Sequence, residues 1–248
     1  MKILLTNDDG IRAPGLAALI DEMKRLGDVV VVAPAAERSG ASHSITLSDP
    51  VKVSEMQYDG VVQAYEVGGS PADCTMIALH KLLVKPPDLV VSGVNLGLNV
   101  GINVVYSGTV AAAVAGLMLG VTSIAVSLEW SENPDFSYAA SVACRLGAKV
   151  ARREHWHSIF NINVPALTPD EILGFKLCHQ STVSWHENYS RIDSAGEQAY
   201  MLGKRPGHEE PEEGSDLAAV RAGYVSITPL HFDLTDHDMV SRFRDVDF

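Results

Sequence analysis

Apolar and polar positions fall into two rhythms along this chain. Residues 3–5, 29–33, 89–92 and 123–127 are short apolar runs, mostly β-branched after the first. Such runs predict strands buried on both faces. Between them the apolar residues recur every three or four positions. Leu16, Leu19, Ile20, Met23 and Leu26 form one helical stripe, stopped by Gly27. Residues 72–83 repeat it with Met76, Ile77, Leu79, Leu82 and Leu83, ended by Pro86-Pro87. Residues 109–119 and 138–151 are two further predicted helices. Strands alternating with helices imply βαβ units and a parallel sheet.

Other regions read differently. Residues 44–67 predict antiparallel strands around turns at Asp49-Pro50 and Asp59-Gly60. After Pro165 the pattern loosens. Residues 182–200 are polar and aromatic, with Trp185, Tyr189 and Tyr200. Those aromatics suit either a nucleobase contact or packing between subunits. Residues 204–215 have the composition of a solvated loop, and residues 224–228 predict a late strand. The tail, 236–248, is short and amphipathic, suited to packing on a partner.

Composition narrows the class. In 248 residues, 46% are hydrophobic and 20% charged, enough for a sizeable core. A net charge of −12 argues against a nucleic-acid duplex or an anionic membrane as partner. The longest apolar run, 110–119, is too short to span a bilayer. No charged-then-apolar leader precedes the first strand, and Cys74, Cys144 and Cys178 show no metal spacing. Free thiols in a reducing cytoplasm are expected.

The first predicted strand runs into Asn7-Asp8-Asp9-Gly10. Adjacent carboxylates raise each other's pKa unless a cation or a proton neutralises them. Neighbouring strand residues face opposite ways, so both acids can serve one site only if the backbone turns there. Gly10 supplies a turn, and Pro14-Gly15 reinforces it. Paired hard oxygens suggest Mg²⁺ or Mn²⁺. A helix cap for the segment starting near Ala13 explains the same residues equally well.

In an open parallel sheet, ligands bind beyond the carboxyl ends of the strands. Beyond the second strand comes Ser39, and beyond the third comes Asn95 in a glycine-rich loop. Singly, each is explained by turn chemistry, but three strand ends in a row carry oxygen donors. Tyr106-Ser107-Gly108-Thr109 then opens a helix, whose unpaired N–H groups and dipole suit an anion or a simple serine cap. Gly68 to Asp73 opens another and reads best as a well-made helix start. His43 is near enough to Ser39 in sequence to reach a site there, though it reads more readily as a loop hydrogen-bonder.

Several chemistries lack their motifs. There is no G-x-G-x-x-G after the first strand, no G-x-x-x-x-G-K-[ST] and no G-x-S-x-G. No H-E-x-x-H occurs among the nine histidines, which argues against a zinc hydrolase.

With these residues assembled, the chain resembles the SurE family of survival proteins, which are 5′/3′-nucleotidases. The matching segments are ILLTNDDGIRAPG at 3–15, VVAPAAERSGASHSIT at 31–46, GGSPADCTMIAL at 68–79, PDLVVSGVNLGLNVG at 87–101, YSGTVAAAVAG at 106–116, FNINVP at 160–165 and GYVSITPL at 223–230. The resemblance implies an α/β fold with a Rossmann-like three-layer core and a mostly parallel sheet. It implies a catalytic core over 1–180 and an oligomerisation extension over 181–248 made of a β-hairpin, the late strand and an exchanged tail. It also implies one divalent ion per subunit, Mg²⁺ or Mn²⁺, held by Asp8, Asp9, Ser39 and Asn95. Asn95, Ser107, Gly108 and Thr109 are the implied phosphate contacts. The implied substrates are nucleoside 5′-monophosphates, with 3′-nucleotides and short polyphosphate as further substrates. The implied assembly is a homodimer or homotetramer. Three departures bear on substrate and assembly: Ser70 where the family often has Thr, no tryptophan near the end of 191–201, and an acidic run at 209–213.

The expected reaction is metal-assisted phosphomonoester hydrolysis, with Asp8 and Asp9 catalytic and Asp9 orienting or deprotonating the attacking water. Covalent attack by Asp8 remains open. So does a non-catalytic nucleotide-binding or assembly module.

Overall fold

The structure, a computed structural model, describes residues 1–248 apart from 152, 154–156, 184–186, 195–196, 205–209, 245 and 247–248. Its elements run β1 (Lys2–Thr6), α1 (Pro14–Met23), β2 (Asp28–Pro34), β3 (Val53–Met56), β4 (Gln63–Val67), α2 (Pro71–Ile77), β5 (Leu89–Leu96), α3 (Gly108–Met118), β6 (Ser123–Leu128), α4 (Phe136–Val150), β7 (Ile159–Val164), β8 (Phe175–Leu177), β9 (Glu187–Ser194), β10 (Glu197–Lys204), α5 (Asp216–Arg221), β11 (Val225–Leu230) and α6 (His237–Arg242).

Nine strands form one sheet in the order β3-β4-β2-β1-β5-β6-β7-β11-β8. The run from β4 to β7 is parallel throughout. The expected mostly parallel sheet with flanking helices is what the chain forms. Period-two alternation builds its two faces. Ile3, Leu5, Val29, Val31 and Ala33 pack with α1 and α4. Leu4, Val30 and Val32 pack on Cys74 and Ala78 on the opposite face. Each fully buried side chain of this size contributes about 1.5–3 kcal/mol, so continuous apolar runs suit these central strands.

All four predicted strands and all four predicted helices are present. The second helix is shorter than its apolar pattern, because Ala78–Leu82 winds as a π-helix. Only one of the two turns expected in 44–67 joins strands: β3 and β4 pair antiparallel around Asp59-Gly60, and residues 44–52 form no strand. The late strand β11 lies in the main sheet, antiparallel to β7. It is therefore part of the sheet that 1–180 builds, although it falls within 181–248. The hairpin β9–β10 forms a separate two-stranded sheet. Trp185 and part of the acidic loop lie outside the described residues. The three cysteines are buried free thiols. Among the described residues no helix is long and apolar enough to cross a membrane.

The chain leaves β1 to place β2 on one side and β5 on the other. This change of direction opens a crevice above the carboxyl ends of β1 and β5.

Candidate active site

That crevice collects the strand-end residues. A cavity of about 770 Å³ is lined by Asp8, Ser39, Asn95 and Ser107, among others. Each arrives on a different element, and local chemistry explains its position.

Beyond β1, Asn7 makes the turn. Its Oδ1 accepts from the Gly10 backbone N–H at 3.2 Å, and its Nδ2 donates to the Gly10 carbonyl at 2.9 Å. Gly10 sits at φ +101°, a conformation open to glycine. Beyond the turn the two carboxyls lie close enough for the charge of Asp8 to act on Asp9. The alternative reading of the acids as helix caps does not hold. The N-cap of α1 is Ala13, with no side-chain hydrogen bond, and Pro14 fills the first turn.

The loop beyond β2 is tied to the same point. Arg38 N–H donates to the Asp8 carbonyl at 2.7 Å. Ser42 reaches across to the start of α3, through its N–H to the Tyr106 carbonyl and its hydroxyl to the Val105 carbonyl at 2.7 Å. Ser39 Oγ donates to Glu37 Oε1 at 2.8 Å, which brings a third carboxylate to the rim. His43 is held by the Val105 backbone, and burial lowers its pKa. It acts here as a loop hydrogen-bonder.

Asn95 ends β5 just past a register shift between Ser92 and Asn95. Such bulges re-aim side chains at sheet ends. Its Nδ2 donates to the Gly97 carbonyl at 2.7 Å, which fixes the amide and leaves Oδ1 as the group it can offer.

Helix α3 closes the site. Ser107 is its N-cap, with Oγ accepting from Val110 N–H. Thr109 Oγ1 donates to Asp8 Oδ1 at 2.6 Å, and its backbone N–H also serves Asp8. A β-carbon on Gly108 would stand 2.9 Å from Asp8 Cβ, so glycine is what lets the helix start approach the acid. Thr109 thus differs from the expectation of a phosphate contact, since both its donors face the carboxylate.

The acids are electrostatically unsatisfied. Asp8 is 3% exposed, and burial raises its pKa despite the Thr109 hydrogen bonds. Asp9 is partly buried and pushed up to about 6 by burial, then by Asp8 and Glu37, against a backbone hydrogen bond with Leu96. No Lys, Arg or His is among the described residues lining the cavity. Nor is there a group of three or more His, Cys, Asp or Glu side chains among the described residues that could hold a metal. The donor set here is instead two carboxylates, a hydroxyl and a carboxamide. Hard oxygens around uncompensated negative charge fit a hard divalent cation.

Sequence reasoning assigned no site role to the apolar and aromatic cavity residues Leu96, Leu98, Tyr106, Trp130 and Leu202. Neither Tyr189 nor Tyr200 is among the described lining residues, and Trp185 lies outside the described residues.

Comparison with known proteins places this geometry in context. The family model described as "Survival protein SurE" matches residues 3–187. The chain is 46% identical over 248 residues to the 5′-nucleotidase SurE of Rhodopirellula baltica, covering 99% of this chain and 98% of that one. It is 42% identical over 247 residues to the 5′-nucleotidase SurE of Syntrophomonas wolfei, covering 98% and 94%. The crystal structure of the SurE protein from Aquifex aeolicus superposes with a TM-score of 0.85 at 38% identity, covering 98% of each chain.

Proposed function

The chain belongs to the SurE family, and we propose that it is a divalent-metal-dependent 5′-nucleotidase, hydrolysing nucleoside 5′-monophosphates to nucleoside and phosphate. The observation that carries this reading is the Asp8–Asp9 pair. Asp8, its pKa raised, lines a cavity whose described lining has no basic side chain, and the charge of Asp8 helps to raise Asp9 next to it, although Asp9 is not itself among the lining residues. A phosphate entering next to these acids needs a positive source, and a bound cation would supply it. Relatives at 46% and 42% identity that bear the name 5′-nucleotidase support the substrate class.

Asp8, Asp9, Ser39 and Asn95 would hold one ion, Mg²⁺ or Mn²⁺. When bound, such an ion supplies neutralisation of the acid pair and polarisation of a phosphoryl oxygen. The residues do the rest. Thr109 locks Asp8 in one orientation through its hydroxyl and backbone. Asp9 orients the attacking water and takes its proton. Water oxygen bonds to phosphorus as the bond to the ester oxygen breaks, and the departing alkoxide picks up a proton. Ser107 O–H and the Gly108 N–H at the start of α3 stabilise charge on the phosphoryl oxygens. Asn95, its amide fixed through Nδ2 by the Gly97 carbonyl, would offer Oδ1 to the ion.

Activity on 3′-nucleotides and short polyphosphate belongs to the same proposal. So does assembly as a homodimer or homotetramer through residues 181–248. The hairpin leaves Tyr189, Tyr200 and Met201 exposed, and the tail leaves Leu234, Met239, Val240 and Phe243 exposed. Light scattering on the purified chain tests assembly, a monomer being the contrary result. Buried free thiols fit a cytoplasmic setting.

The decisive assay is phosphate release from 5′-AMP, 5′-GMP and their 3′ isomers with Mg²⁺, Mn²⁺ or EDTA. Release should require metal and vanish in Asp9→Asn. Full activity in EDTA or in that variant would refute the assignment.

A further inference from the structure

The cavity is larger than a phosphoryl group needs, and its lining combines polar groups with apolar and aromatic ones. Asp8, Ser39, Asn95 and Ser107 are polar lining residues, and Glu129 adds a carboxylate next to Trp130. Leu98, Tyr106, Trp130 and Leu202 supply apolar surface in the same cavity. Trp130 is the prominent member, with 65% of its surface exposed. An indole left this open beside a hydrogen-bonded strand end forgoes the large burial free energy that aromatic side chains otherwise supply.

Its position is fixed by the sheet. Ser127 on β6 is the register partner of Asn95 on β5, and Leu128 pairs with Leu96. Trp130 stands three residues past Ser127, at most about 11 Å of chain. The neighbouring residue anchors it. Glu129 N–H donates to the Val164 carbonyl at 2.8 Å, and Glu129 Oε2 accepts from Ala166 N–H at 3.0 Å. The Gly97 N–H also donates to the Leu128 carbonyl at 2.7 Å, which ties the Asn95 loop to the strand that carries the indole. The sheet and these bonds therefore hold the Asn95 loop and the segment carrying Trp130 at one spacing.

We propose that Trp130 is the specificity-determining residue for the nucleoside, offering its ring as a stacking platform for the base while the phosphate sits at the acid end. This rests on the nucleotidase reading of the site. A π face accepts any base, and larger bases overlap it more, so purine nucleotides should be favoured over pyrimidine ones. Leu202 reaches the cavity from β10, so the hairpin contributes one apolar contact there.

The test compares wild type, Trp130→Ala and Trp130→Phe on 5′-AMP and on ribose 5-phosphate, which has no base, with Mn²⁺ present. Base stacking predicts a KM for AMP about tenfold higher in Trp130→Ala. The KM for ribose 5-phosphate and both kcat values should stay within about twofold, and Trp130→Phe should restore most of the AMP affinity. An unchanged preference for AMP over ribose 5-phosphate in Trp130→Ala would overturn the proposal. An equal loss on both substrates would also overturn it, because that marks a structural role. If wild type releases phosphate from neither, the nucleotidase reading fails on its own. Equilibrium dialysis of AMP against wild type and Trp130→Ala then decides the platform, with weaker binding by the variant expected and equal binding contrary.

Discussion

Asp73, at the start of α2, and the Asp8–Asp9 pair, beyond the central strand β1, lead opposite electrostatic lives. Asp73 sits in the first turn of α2 as half of a capping box with Ser70. Its carboxylate accepts from Ser70 N–H at 2.9 Å, from Thr46 Oγ1 at 2.7 Å and from Thr46 N–H at 3.1 Å. Those bonds outweigh burial and lower its pKa. Asp8 has the Thr109 donors and its own backbone N–H, and burial still wins. Asp9 has a single backbone bond and two like-charged neighbours. An acid whose lone pairs are filled by its own chain is there to hold the fold. An acid left short of donors, beside another, is kept for a charge the chain does not supply.

The largest expected effect separates the two classes on activity. Asp8→Asn should lower phosphate release by about a thousandfold or more, since several kcal/mol of transition-state stabilisation depends on the cation site. Asp73→Asn, assayed alongside, should keep kcat within about threefold. A comparable loss in both would erase the distinction.

Stability should divide them the other way. Asp73→Ala removes a capping box and charge-assisted hydrogen bonds, and should cost about 3 kcal/mol in urea unfolding. A change under about 0.5 kcal/mol would show that Asp73 is not holding α2.

Next in size is a pH effect on the metal-free protein. The folded pKa of Asp9, about 6, lies above its ordinary value of 3.8. Stability from this group is present below the ordinary value and is lost as pH rises through about 6. Allowing for screening at a partly exposed site, the loss between pH 4 and 7 should be about 1–2 kcal/mol. Urea melts in EDTA across that window measure it, and Asp9→Asn should abolish that component.

The smallest change tests the link between α3 and the acid. Thr109→Val deletes the 2.6 Å bond to Asp8 but keeps the shape. Activity should fall about tenfold, the worth of about 1.4 kcal/mol. Ser107→Ala, assayed for stability, should cost about 1 kcal/mol as a lost cap.

Much of this architecture is legible in the sequence. The strands β1, β2, β5 and β6 announce themselves because both faces are buried and nearly every position is apolar. Helices α1, α3 and α4 follow from helical spacing and small residues. β7 is harder to read, because Asn161 and Asn163 interrupt it. Their amides donate to the Asn99 carbonyl at 2.7 and 3.3 Å, a pairing that only the fold reveals. β8 has three exposed residues and no pattern to read. The partner of β11 is invisible in the sequence because register is a tertiary property. At the site, Asp8, Ser39, Asn95 and Ser107 stand out because ligands gather at strand ends. Trp130 follows a strand end too, and the same rule applied to β6 would have found it. The embrace of Asp8 by Thr109 is hidden, since nothing in residues 107–109 says which way the donors face.

The central claim is that Asp8 and Asp9 are an uncompensated pair held ready for a divalent cation. Thermal unfolding of wild type and Asp9→Asn at pH 7.5, each in EDTA and in excess Mn²⁺, tests it most directly. In EDTA the variant should be the more stable, because one repelling charge is gone. In Mn²⁺ the order should invert, with wild type gaining about 3 kcal/mol at a hundredfold excess over Kd and the variant gaining little. The same order in both conditions would contradict the account.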